Sequence, residues 1–322
     1  MLQLDVTPDD PRSFRSYSMN TRSTLIGTLM FLVVILVSWW GCLGQSKMDA
    51  FFDPDEVSTH RILVADALKQ ICPRGLLSFD THGNATGCHY CPPQATEHDA
   101  DDLSWDLKRT FAGHFTSPDE ENIVLTGRGC ESHSANFGGT FVFAVNGSVQ
   151  QLLHYESALI TERCHKFRVA KSMDMLVCVD DWGTQVTLWS YVYLVKFHQN
   201  GQSNVQHIFE TVDKSRQACG IDFFDGRNTS VQKSGITALE FAEPRDKSLT
   251  TLAITATLGE KSPTDEERRA CQQGKPVPLT LNTYRMTFLF DGNIFRPARE
   301  SEKMLELFPK AESAEHSYST EH

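Results

Sequence analysis

The sequence predicts a mainly β, antiparallel fold of propeller-like, repeated four-stranded units, with a β-sandwich as the alternative. An N-terminal transmembrane or signal helix and one short helix precede the β region. Three observations predict this. From about Phe111 onward, short runs of aromatic and β-branched residues alternate with turn signals. Three of those turns, Asn146-Gly147, Asn200-Gly201 and Asp291-Gly292, are dipeptides that tight hairpins favour, because their central positions need positive φ. Before all of this stands an uncharged stretch of 20 residues, 25–44, about the length that crosses a bilayer core as a helix.

Residues 1–23 carry Arg12, Arg15 and Arg22, whereas Lys47 is the only base close behind residues 25–44. The positive-inside rule therefore places residues 1–23 in the cytoplasm and the large remainder outside. Trp39 and Trp40 fall where an interfacial aromatic belt lies. An uncleaved anchor over residues 24–44 gives a single-pass membrane protein with its C-terminal domain outside. Cleavage of the same segment as a signal gives a secreted or periplasmic protein, and Cys42-Leu43-Gly44 supplies the small residues a signal peptidase reads. Lipidation at Cys42 is a third alternative, with Trp39 and Trp40 poorly suited to it.

Residues 45–110 read as a helix followed by a cysteine-containing loop region. Asp53 can cap, Pro54 fits the first helical position, and Val57, Ile62, Leu68 and Ile71 recur at helical spacing. Cys72-Pro73-Arg74-Gly75 ends it. Glycines, prolines and acids between residues 80 and 102 leave little to bury, so covalent staples are expected there. Residues 111–300 form the β-rich repeat domain, its clearest strands expected over 122–126, 139–145, 175–179, 187–197, 205–210, 249–257 and 279–290. Residues 301–322 have few apolar groups and are expected to form a loose tail.

Three segments of the β region align by pattern. The first has His114-Phe115, then residues 121–125, residues 140–143 and Asn146-Gly147. The second has Lys166-Phe167, residues 174–177, residues 191–194 and Asn200-Gly201. The third has Glu240-Phe241, residues 252–254, residues 284–288 and Asp291-Gly292. Each unit is an aromatic, a short buried strand, a longer strand and a tight turn before a last strand. The leading Phe and the Asp or Asn before the short strand resemble the FG-GAP repeat of integrin-like β-propellers, across residues 111–300 at most. The chain departs from that pattern in lacking the Phe-Gly/Gly-Ala-Pro signature and the calcium loop, of which Asp222, Asp225 and Asn228 are a faint echo. The run from Gly129 to Thr140 resembles one found in uncharacterised exported bacterial proteins. That resemblance implies export and no particular activity.

Setting Cys42 aside, eight cysteines remain, an even number that suits complete pairing in an oxidising compartment. Cys164 and Cys178 flank one expected hairpin and can face each other across adjacent strands. Cys219 is expected to pair with Cys271, two of Cys72, Cys88 and Cys91 with each other, and the third with Cys130. Cys88-His89-Tyr90-Cys91 also has the spacing of a zinc or redox pair. No second zinc pair accompanies it, and Pro92-Pro93 replace the helix that a thioredoxin-like site needs.

Catalytic signatures are lacking. Glu131 and His133, with Asn136 and a glycine pair, are the most polar constellation and could do acid–base work, whereas the plainer account, a solvated loop between two strands, is the expected one. Trp182, Trp189, Tyr191 and Tyr193 are either strand residues packed on both sides or a sugar-binding face. No cofactor and no metal is implied. The charge also bears on partners: 41 acids oppose 30 bases for a net −11, and residues 1–44 hold equal numbers of each, so the whole excess lies in the exported part. Such a polyanion does not suit nucleic acid. The function expected is a binding or structural module with a protein or carbohydrate partner, touching the membrane through residues 24–44 if these are uncleaved. The alternative is a secreted hydrolase with its site near Glu131 and His133.

Overall fold

The computed structural model describes residues 57–95, 103–130, 138–147, 149–169, 173–183, 187–214, 230–242 and 249–308. The chain divides into a unit ending at Gln45 and one beginning at Ser46, and every described residue belongs to the second. Residues 1–23 and 24–44 therefore lie outside the described part. Among the described residues no helix is long and apolar enough to cross a membrane.

Helix α1, Val57–Ile71, forms because Val64, Ala67, Leu68 and Ile71 fall on one face, and each is at most 2% exposed. It stops at Cys72-Pro73, where proline disfavours helical geometry in the residue before it. Among the described residues fourteen strands follow in three antiparallel sheets. The first sheet runs in chain order through β1 (Leu77–Phe79), β2 (Ala85–Cys88), β3 (Trp105–Ser117), β4 (Glu120–Gly129), β5 (Gly139–Asn146) and β6 (Val149–Ser157). The middle sheet contains β7 (Cys164–Val169), β8 (Met173–Gly183), β9 (Leu188–Phe197) and β10 (Ser203–Asp213). The last has β11 (Val231–Ala242), β12 (Thr251–Lys261), β13 (Asn282–Phe290) and β14 (Phe295–Pro297). Between β12 and β13 lies α2 (Asp265–Gln272), and α3 (Arg299–Leu305) ends the described chain.

Among the described residues no barrel closes, and the arrangement fits a β-sandwich-like reading. Strands β8 and β9 show why. Met175, Val177 and Val179 of β8, with Val192 and Leu194 of β9, pack on Leu252, Ile254, Met286 and Phe288 of the last sheet. Their alternate neighbours Leu176, Cys178, Tyr193, Val195 and Phe197 pack on Phe111, Phe115, Val124 and Val142 of the first sheet. Strands covered on both faces read as unbroken apolar runs, which is the composition of residues 175–179. The first sheet is covered again on its far side, where Ile123, Leu125, Phe141 and Phe143 meet α1. The middle and last sheets join at one edge, where Ser234 Oγ accepts from Val212 N–H at 2.9 Å and donates to Val212 C=O at 2.7 Å.

The three aligned segments fall on equivalent strands. Phe115, Phe167 and Phe241 sit on β3, β7 and β11, each the first strand of a four-strand meander, and the three tight turns precede β6, β10 and β14. The Asp or Asn before the short strand is a buried acceptor in the two units where it occurs. Asn122 Oδ1 accepts from the N–H groups of Phe115 and Thr116, both at 2.9 Å. Asp174, 2% exposed, accepts from His114 N–H at 2.8 Å and from the Arg168 guanidinium at 3.0 and 3.1 Å. Gly113 lets this carboxylate approach, since a Cβ there would lie 2.5 Å from Asp174 Oδ2.

Two boundaries shift. The β domain begins at Trp105 with β3, and β1 and β2 extend the first sheet into the region expected to be loop. At the other end, residues 301–308 are not a loose tail. Ser301 and Phe308 are buried, Phe308 packs 5.1 Å from the Phe209 ring, and Met304 and Leu305 pack on the same core, so α3 and the residues after it are held to the sheets.

Candidate functional site

Glu131 and His133 lie outside the described residues, as do Asn136, Asp222, Asp225, Asn228 and Cys219. The segment that carries Glu131 and His133 starts from Cys130, which is bonded to Cys91. The cysteines resolve the reading of Cys88-His89-Tyr90-Cys91. Its two thiols go to different partners, Cys88 to Cys72 and Cys91 to Cys130, and all four are at most 6% exposed. They therefore form neither a dithiol pair nor zinc thiolates. Cys164 and Cys178 face each other in register across β7 and β8 and are bonded. Cys271 is disulfide-bonded as well, to a partner outside the described residues. Among the described residues, no three His, Cys, Asp or Glu side chains gather as a metal site.

The residues the fold does bring together lie on the middle sheet. Strand register places Asp180, Tyr191 and Glu210 in one row across β8, β9 and β10, and Trp182, Trp189 and Val212 in the next. Leu176 and Cys178 point toward the first sheet, so Asp180 and Trp182 continue that face by the two-residue period of a strand. A register shift between His207 and Phe209 is what builds the β10 edge of this patch. It turns Phe209 into the core shared with the last sheet and returns Glu210 and Val212 to the face that also bears His207.

The packed core fades across this patch. Tyr193 is buried and its hydroxyl donates to Ile160 C=O. Over the next two rows Asp180, Tyr191, Glu210, Trp182 and Trp189 are half-buried, and His207, opposite Tyr193 on β10, is exposed. The Trp182 and Trp189 rings stack at 4.6 Å with a 34° tilt. His207 meets Tyr191 edge-on at 5.7 Å. The result is a row of aromatic surface bounded by carboxylates, a composition suited to a ligand with an apolar face and hydrogen-bonding edges.

Charge around Asp180 is arranged in pairs. Arg128 binds Glu162 at 2.8 Å and Arg163 binds Asp181 at 2.7 Å. Burial raises the pKa of Asp180 above the ordinary carboxylate range, against the opposing pull of the Asp181 N–H and of the Arg128 and Arg163 charges. A raised folded-state value means that the native state keeps a proton the unfolded chain releases. This part of the stability is greatest below the ordinary value and is lost as pH climbs through the raised one. Asp180→Asn is expected to flatten the fall in urea midpoint between about pH 4 and neutrality, leaving the neutral-pH midpoint no lower than the parent's. Identical pH profiles for the two proteins would refute this assignment.

Sequence reasoning singled out Trp182, Trp189, Tyr191 and Tyr193 and missed Asp180, His207 and Glu210. Asp180 shares the parity of Leu176 and Cys178, a signal that was legible. The placement of Glu210 depends on the β10 irregularity, which no composition rule marks. With this geometry in hand, comparison with protein-family models, curated proteins and solved structures finds no match. The reading of the site therefore rests on its own chemistry.

Proposed function

We propose that this chain is an exported, disulfide-stapled β-domain that works as a binding module, held at the membrane by residues 24–44 or released when they are removed. The observation that carries the proposal is the patch of Asp180, Trp182, Trp189, Tyr191, His207 and Glu210, where aromatic rings stay half-buried at the end of a sheet whose preceding residues Leu176, Cys178, Tyr193 and Val195 are fully packed. A structural sheet would bury these rings or replace them with polar residues. Export is supported by three buried disulfides, which persist outside the reducing cytosol. The blade-like reading of the three meanders belongs to this proposal. It is supported by the equivalent placement of Phe115, Phe167 and Phe241 and of the three turns.

The test is tryptophan oxidation in place. Cells bearing the native protein and the purified full chain are treated with N-bromosuccinimide, and oxidation at Trp182 and Trp189 is read by peptide mass spectrometry. Trp105, fully buried in the first sheet, is the internal reference. The expected result is that Trp182 and Trp189 are shielded on cells and oxidised in the purified chain. Equal oxidation in both would show that nothing occupies this face and would end the proposal.

A further inference from the structure

Independently of the middle-sheet patch, we infer that Arg109 anchors a site for a small carboxylate ion. Arg109 is half-buried, and its Nε and Nη2 atoms are covered without a hydrogen-bond partner among the described residues. Covered, unpaired donors on a charged group are among the more costly arrangements a fold can hold, so this exception calls for an acceptor. Nε–H and Nη2–H lie side by side and parallel, on the edge of a guanidinium that takes two oxygens of one group at once. A register shift builds this placement. Trp105 and Leu107 of β3 pack toward α1, whereas Phe111 and Phe115 pack toward the middle sheet. Strict alternation would put Arg109 with Trp105 and Leu107. The shift between Leu107 and Arg109 reverses the parity and sends Arg109 to the face of Phe111, over whose ring its Cζ stands at 5.3 Å.

Neighbours that could have answered the two donors are used elsewhere. Opposite Arg109 on β4 stands Thr126, 1% exposed, whose hydroxyl is shared among Gly139 C=O, Thr140 Oγ1 and the Thr161 N–H. Of the acids in this part of the fold, Glu162, Asp174 and Asp181 answer Arg128, Arg168 and Arg163. One positive charge is thus left over, and it suits one negative charge spread over two oxygens, which is a carboxylate. Sulfate or hydrogen phosphate would bring a second negative charge into a layer lined by Phe111 and Val124, both fully buried, where Arg128 is already held by Glu162.

The experiment is thermal unfolding of the full chain in non-ionic detergent, at neutral pH and fixed ionic strength. Acetate and benzoate are titrated with chloride as the balancing ion, and sulfate is the dianion for comparison. With at least one carboxylate the midpoint is expected to rise and saturate, by about 3 °C at ten times the dissociation constant. Sulfate is expected to give only the unsaturating rise of an excluded salt. Arg109→Met keeps an apolar stem and removes the donors, so it is expected to abolish the shift. Arg109→Lys keeps the charge without the paired donors and is expected to need about tenfold more carboxylate for the same shift. If Arg109→Met does not fold, Arg109→Lys carries the comparison. No saturable shift with either carboxylate would mean that the two donors meet only water, and would overturn the inference. A saturable shift with sulfate, or an undiminished carboxylate shift in the folded Arg109 variants, would overturn it as well.

Discussion

Phe167→Ala is expected to lower unfolding stability by about 3–5 kcal/mol, the largest effect of any single side chain in the middle sheet. Phe167 is 1% exposed on β7 and contacts three rings of the last sheet, Phe241 at 4.9 Å, Phe290 at 5.4 Å and Phe295 at 6.0 Å. Phe295 also meets the other two, Phe241 at 6.5 Å and Phe290 at 5.0 Å. Truncation therefore removes apolar contact from both sheets, and the backbones, each fixed by its own ladder, cannot close the gap. Urea unfolding of the variant should show a lower midpoint with the slope retained. A loss below about 1 kcal/mol, the level of a partly exposed site, would mean that the two sheets do not meet at this ring.

Replacing Cys91 and Cys130 together by alanine is expected to cost about 4 kcal/mol, the loop entropy of a cross-link spanning 39 residues. The shorter Cys164–Cys178 link, spanning 14 residues, is worth about 3 kcal/mol by the same arithmetic. The Cys91–Cys130 bond also has a local role. It joins the segment between β2 and the Pro93–Ala95 turn to the end of β4, beside the Trp105 indole and the α1 face. Its loss should loosen the α1 layer first. Hydrogen exchange in α1 is expected to speed up more than exchange in β8 and β9, which are held between two sheets. Uniform acceleration throughout would contradict that order.

Much of this architecture was legible because it is local. The Asn146-Gly147, Asn200-Gly201 and Asp291-Gly292 turns each stand between strands that pair, and in each dipeptide the glycine alone takes the positive φ, 63° at Gly147, 84° at Gly201 and 97° at Gly292. Cys164 and Cys178 were legible for the same reason, their hairpin being too short to place them elsewhere. The expected pairing among Cys72, Cys88, Cys91 and Cys130 also has the form observed, although spacing alone could not say which loop cysteine reaches Cys130.

The parts not read depend on distant partners or on weak signals that were passed over. Helix α2 is short and polar, yet Thr264 and Glu267 form a capping box in which each side chain meets the other's backbone N–H. That spacing stands in the sequence. Phe308 stood among the few apolar residues of a polar tail, with Leu305 and Leu307, and its burial was not legible because its partners Phe209 and Tyr284 lie far away in sequence. The unbroken run over residues 175–179 announced burial on both faces, but nothing in it says which sheets do the covering. The candidate site was half legible in the same sense. Its aromatics stood out by type, whereas the two carboxyl groups that flank Tyr191 joined them only through cross-strand register.

The central claim is that this is an exported domain stapled by disulfides, and non-reducing peptide mapping of the native protein tests it most directly. The account predicts Cys72–Cys88, Cys91–Cys130 and Cys164–Cys178 peptides, Cys219 linked to Cys271, and no alkylatable thiol among these eight cysteines. Free thiols at Cys72, Cys88, Cys91 or Cys130 in protein isolated without reductant would contradict it, because those bonds hold the helix and the first sheet together and are expected to persist in an oxidising compartment.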